Sequence, residues 1–142
     1  MNNVNTKGWQ YKKSRISSAL SQKLSELVTL AAQDIYDKTD ANLSGPSIKP
    51  GIKGSENSAI GEMPVPRRTG DLADSLTMIR IAHAFSMVFI DREKAGYGKY
   101  VHDGTKYMKP RRFLGDVVDA NLDKWIKRFR KEVLADMRRV GR

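Results

Sequence analysis

Apolar residues recur every three or four positions from about Ser14 onward: Ile16, Leu20, Leu24, Leu27, Val28, Ala31 and Ile35. Ser17, Ser21, Ser25 and Lys23 fill the other side. The spacing predicts a helix over 14–38. At ~1.5 Å per residue it would reach roughly 35 Å, long for a small domain, so its stripe must cover a sheet, another helix or a neighbouring subunit. The residues before it, 1–13, are polar and read as a flexible N-terminal arm. After it the pattern stops. Over 39–68, Gly45-Pro46, Lys49-Pro50-Gly51, Gly54-Ser55, Gly61, Pro64 and Pro66 punctuate the chain and no periodicity survives. Structureless loops of that length are either functional or disordered. The scattered Ile48, Ile52, Ile60, Met63 and Val65 fit an arm that orders against a partner; the plain alternative is a floppy insertion.

Order resumes over 69–105. Thr69 is the expected N-cap of a helix of one or two turns, with Asp71 and Asp74 at its positive end. Leu76–Ala82 and Phe85–Ile90 then read as strands. Phe85, Met87 and Phe89 share one face and Val88 and Ile90 the other, so the sheet is expected to be covered on both sides, one cover being another subunit. The join at His83-Ala84 lacks the Gly or Asn of a favoured hairpin turn. Asp91 to Gly98 reads as a turn, and Lys99–His102 as a third short strand ending at Gly104-Thr105. A basic loop carries Pro110. A C-terminal helix is predicted over 111–140 from Leu114, Val118, Leu122, Trp125, Phe129, Val133, Met137 and Val140, with Gly141 as its stop. The expected architecture is α+β in one domain, 1–142: a small antiparallel sheet of three to four strands, flanked by a long N-terminal and a long C-terminal helix, with a long extended loop.

Charge changes this picture. The net charge is +10 and the pI about 9.9. Such a surplus calls for an acidic partner, whether nucleic acid, an acidic protein surface or anionic lipid, or else serves solubility and a basic interface. The absence of cysteine excludes disulfides and thiolate metal sites. No apolar run approaches the ~20 residues of a membrane span, and the first residues lack the apolar core of a signal peptide. Catalytic chemistry finds no anchor. His102 and Asp103 are adjacent, and on a strand adjacent side chains point to opposite faces. Asp71 and Asp74 lack a third metal ligand and suit a helix start. No phosphate-binding glycine loop occurs. The expectation is a protein that is not an enzyme and takes no cofactor and no metal. Arg67, Arg68, Lys106, Lys109, Arg111 and Arg112 are candidate DNA- or partner-facing residues, and Tyr97, Tyr100 and Tyr107 are able to stack on bases. No motif for base reading accompanies them.

Three segments carry a resemblance. Arg68-Thr69-Gly70-Asp71-Leu72-Ala73-Asp74-Ser75-Leu76 is similar to the R-T-G-x-L-x-x-S-[IL] segment of bacteriophage neck and tail-completion proteins. Tyr97-Gly98-Lys99-Tyr100-Val101-His102-Asp103-Gly104-Thr105 resembles their Y-x-x-Y-[VI]-x-x-G-T segment. Pro110-Arg111-Arg112-Phe113-Leu114-Gly115 resembles their P-x-[RQ]-P-F-L ending, which opens the C-terminal helix. The likeness spans roughly 66–130. It departs from the pattern at His102, where an acidic residue is usual, and at Arg112, where proline usually stands. The resemblance implies a structural virion protein forming a ring, commonly sixfold, at the head–tail junction. Such a ring terminates the tail or joins it to the head, beside head-closure, tail-terminator or tail-tube proteins. It would be assembled in the host cytoplasm, and DNA in its lumen would be contacted without base reading. Thr69, Gly70, Leu72, Ser75, Tyr97, Tyr100, Val101, Gly104, Thr105, Pro110, Phe113 and Leu114 would then be motif residues that build the shared fold. The alternative is a basic, sequence-independent nucleic-acid-binding protein.

Overall fold

In a computed structural model that describes residues 6–47, 63–67 and 69–140, six elements follow one another. They are α1 (Thr6–Leu43), α2 (Asp71–Asp74), β1 (Leu76–Ala82), β2 (Phe85–Ile90), α3 (Gly98–Asp103) and α4 (Gly115–Val140). The class is α+β, with two long helices and, among the described residues, one two-stranded antiparallel sheet.

α1 outruns the predicted 14–38 at both ends. No proline stands between Thr6 and Leu43, so the helix propagates through polar turns that were expected to be an arm, and the first breaker is Gly45-Pro46. Its last turns bury Thr39 and Leu43. Residues 6–13 of the expected arm are therefore helical; residues 1–5 lie outside the described residues, as do 48–62 and Arg68 of the expected 39–68 loop. The two ends of that loop are tied to the body. Val65 N–H donates to the Asn42 carbonyl at 2.7 Å and Arg67 N–H to the Pro46 carbonyl at 3.0 Å, and Val65 is buried. Gly45 permits this approach, because a Cβ there would collide with the Val65 carbonyl.

α4 lies antiparallel against α1. Polar bridges fix the register: Asn42 Nδ2 donates to the Phe113 carbonyl (3.0 Å), Lys38 Nζ to Asn121 Oδ1 (2.7 Å), Trp125 Nε1 to Asp34 Oδ2 (3.0 Å), and Lys23 pairs with Glu132 (2.9 Å). Descending positions on α1 meet ascending positions on α4. Buried Asn121 is satisfied on its other side, donating to the Val117 carbonyl at 2.7 Å.

The hairpin has the predicted strand limits. Leu76 faces Ile90, Met78 faces Val88 and Ile79 faces Met87, with an irregularity between Arg80 and Ala82. α1 covers the face bearing Leu76, Met78, Arg80, Val88 and Ile90, and Arg80 Nη2 donates to Ser25 Oγ of α1. The two-residue join without Gly or Asn is held from outside: Arg80 Nη2 also donates to the His83 carbonyl (3.1 Å), and the His83 ring bonds the Ser21 carbonyl (3.0 Å). The core gathers Leu43, Val65, Leu72, Leu76, Ala95 and Phe113.

The third strand expected at Lys99–His102 is instead α3. Tyr100-Val101 carries strand-forming residue types, yet Gly98 lets the backbone approach the Ile90 and Leu72 side chains, and Tyr97 starts a helical turn there. α4 begins at Gly115 rather than 111. Arg111 N–H is committed to the Val101 carbonyl (3.0 Å), and Phe113 is driven into the core at 1% exposure, so the helix cannot start until both are placed.

Candidate protein interface

The sheet has one covered face and one open face. Alternation puts Thr77, Ile79, Ile81, Phe85, Met87 and Phe89 on the side away from α1. Ile79, Ile81, Phe85 and Met87 there are 39–54% exposed. A second open apolar strip runs along α4 through Leu122, Ile126, Leu134 and Met137, spaced by three, four and eight. The stripe predicted for this helix mixed two sides: Val118, Trp125, Phe129 and Val133 are half-buried, whereas Leu122 and Met137 are exposed. The residues sequence reasoning missed here are Ile79, Ile81, Ile126 and Leu134. The period-two apolarity of both strand faces was the available signal for the first pair.

The motif residues divide between core and surface. Leu72, Ser75 and Phe113 are buried, and Val101 and Leu114 pack against them. Ser75 Oγ donates to the Leu72 carbonyl at 2.7 Å and closes α2. The expected N-cap, Thr69, is not the cap: Gly70 is, at φ +96°, and Thr69 Oγ1 reaches Asp71 N–H only at 3.4 Å while donating to the Asp71 carboxylate at 2.6 Å. Gly104 ends α3 at φ +80°, where a Cβ would meet Pro110 N at 2.7 Å and the Met108 carbonyl at 2.8 Å. Thr105 and Met108 exchange backbone bonds across the basic turn, at 2.8 and 3.2 Å. Tyr97 and Tyr100 build none of the core: both are exposed, as is Tyr107.

The six basic candidates do not form one free surface. Arg67 is exposed, and Arg68 lies outside the described residues. Lys106 sits over the Tyr107 ring, 4.7 Å from its centroid, and Lys109 is exposed. Arg111 is half-buried. Arg112 pairs with Asp116 (3.4 Å) and Asp119 (3.0 Å) on the first turns of α4.

His102 and Asp103 cooperate after all, because they lie on α3 rather than a strand. Gly115 N–H donates to His102 Nε2 at 3.1 Å, so Nδ1 carries the proton and donates to Asp103 Oδ1 at 2.7 Å. That bond holds the Asp103 carboxyl below the usual range. With Nε2 occupied by the first N–H of α4 and the ring edge-on to Phe113 at 5.0 Å, the pair acts as a helix-start clamp. Among the described residues no group of three His, Cys, Asp or Glu is placed to hold a metal ion, and no helix is long and apolar enough to cross a membrane.

Comparisons with known proteins find no matching family model, no matching curated protein and no matching solved structure.

Proposed function

We propose that this chain is a structural subunit of a tailed-bacteriophage virion, forming a ring, sixfold by resemblance, that completes the tail and joins it to the head. The observation that carries the reading is the open apolar face of the hairpin, Ile79, Ile81, Phe85 and Met87, on a chain whose three motif segments resemble neck and tail-completion proteins in the right order. A monomer exposing such a patch, with a separate second strip on α4, is built to be covered. Ring formation covers it by heterologous contact between copies, the contacts closing after a fixed number. A sheet of three to four strands belongs, on this reading, to the assembled state. The role needs no catalytic group and no cofactor. Neighbouring head-closure, tail-terminator or tail-tube proteins would be met at the ring's two ends, and the virion neck would be its place after assembly in the host cytoplasm. Electron microscopy of antibody-labelled virions tests this. Label at the head–tail junction, with a ring-sized mass in solution or on tail tubes, supports it; label elsewhere rejects it.

A second reading is sequence-independent contact with nucleic acid, favoured by exposed Tyr97, Tyr100 and Tyr107, the last under Lys106, and by exposed Lys109. Binding to random-sequence duplex and single-stranded DNA should then weaken roughly tenfold or more over a modest rise in salt, as several phosphate contacts are lost. A flat salt dependence, or no binding at low salt, rejects it.

A further inference from the structure

A groove of about 660 Å³ runs beside β2. Four consecutive strand residues, Met87 to Ile90, line it, and none from β1 does. A cavity on a sheet face would show alternate residues from both strands. Consecutive residues from one strand place this groove along the free edge of β2. Its far wall is α3, through Gly98, Lys99 and His102, and its floor is closed by Phe113 and Leu114.

The ladder tells which backbone groups point into it. Asp91 N–H donates to the Ser75 carbonyl at 2.8 Å. In an antiparallel pair the bonded positions alternate, so Phe89 with Thr77 and Met87 with Ile79 are bonded pairs, and Ser86, Val88 and Ile90 aim their N–H and C=O groups away from β1. Among the described residues no group bonds them on that edge. An unpaired strand edge is a template for another strand. Here it lies beside an apolar floor rather than open solvent. The rim is basic on balance: Arg92 and Lys99 are exposed and have no ion-pair partner within 4 Å among the described residues, against one carboxylate, Asp103, which the neutral His102 ring hydrogen-bonds without cancelling its charge.

We infer that this groove takes an extended acidic segment of a partner protein, added as a third strand antiparallel or parallel to β2. Backbone bonds to Val88 and Ile90 hold it, alternate apolar side chains meet Phe113 and Leu114, and carboxylates meet Arg92 and Lys99. A strand spanning Met87–Ile90 covers about 13 Å, so four to six partner residues fill the site. Charge selects a different polypeptide over a second copy, because this chain carries a net +10. The groove shares Met87 and Phe89 with the outer sheet face but takes its backbone bonds from the strand edge, so N-methylated peptide and charge reversal test it without testing the ring reading.

The test uses a fluorescent heptapeptide of alternating glutamate and valine, a lysine–valine counterpart, and a glutamate–valine version N-methylated on alternate amides. Fluorescence anisotropy should show binding of the first, and weakening by at least about tenfold on N-methylation, which removes two or more backbone bonds. Arg92→Glu with Lys99→Glu should reverse the preference toward the lysine peptide. Val88→Pro removes an outward N–H without touching a bonded pair and should abolish binding; because Val88 also packs against the core its melting temperature should fall, and the N-methylated peptide on the unaltered protein separates the two effects. Equal binding of the plain and N-methylated peptides, or a glutamate preference that survives the charge reversal, overturns the proposal. Self-association that the glutamate peptide displaces puts a second copy in the groove and overturns the assignment to a different partner.

Discussion

At Gly104 one backbone angle decides a turn. With φ at +80° and Pro110 N and the Met108 carbonyl both within 3 Å of where a Cβ would sit, no L side chain fits without moving backbone. Gly104→Ala should therefore cost about 1–3 kcal/mol of stability, read by denaturant unfolding, and should loosen the basic turn that Thr105 and Met108 close. The glycine stood out in the sequence because it ended an aromatic run; its angle did not. His102 and Asp103 teach the complementary lesson. Their separation was inferred from strand geometry, and the inference failed because the local state was helical. Adjacent residues on α3 need not face opposite ways, and the Asp103 carboxylate swings to the ring at 2.7 Å.

Between elements, the α1–α4 bridges make a pH dependence with a definite sign. Arg128 and then Lys23 hold the Glu132 carboxyl below its ordinary range, and Lys38 and Trp125 do the same for Asp34. A depressed carboxyl stabilises the fold above the ordinary carboxylate range and loses that contribution as pH falls through its own lower value. Glu132, followed by Glu26, raises Lys23, so its contribution is present below the ordinary lysine range and is lost as pH rises through the raised value. The helix pair should hold across the middle range and weaken at both ends. Melting temperature measured against pH should show Glu132→Gln flattening part of the acid limb, by a small amount for a pair still partly open to solvent. The two long helices and both strands were legible because their periods, 3.6 and 2, persist over many residues. α3 was not, since six residues give no period and Tyr100-Val101 favours a strand by residue type. The start of α4 was misplaced because Phe113 is called into the core before the helix can form, a tertiary demand that spacing does not carry.

For the molecule as a whole, the informative feature is an imbalance. One sheet face is closed by α1 and the other is left apolar and open. Both strand faces read as apolar in the sequence, so the need for two covers was legible there; which cover the chain itself supplies was not. Ile81→Glu with Phe85→Glu places charge on the open face only. Sedimentation should show loss of any self-assembly, with the melting temperature of the monomer little changed or raised. Assembly that persists in the double variant would move the interface elsewhere.

The unequal lengths of the two helices have a mechanical consequence. Lys23 stands opposite Glu132, so Val140 falls level with about Arg15. The turns of α1 from Thr6 to Ser14 then project roughly 14 Å past the last described turn of α4, at ~1.5 Å per residue. Anything stacked along that axis meets these turns of α1 before the described end of α4, a bumper that sets its standoff from the paired helices. The same stretch of α1 is bonded through Ser21 and Ser25 to His83 and Arg80 of the hairpin and through Lys23 to Glu132 of α4, so the bumper is braced by both.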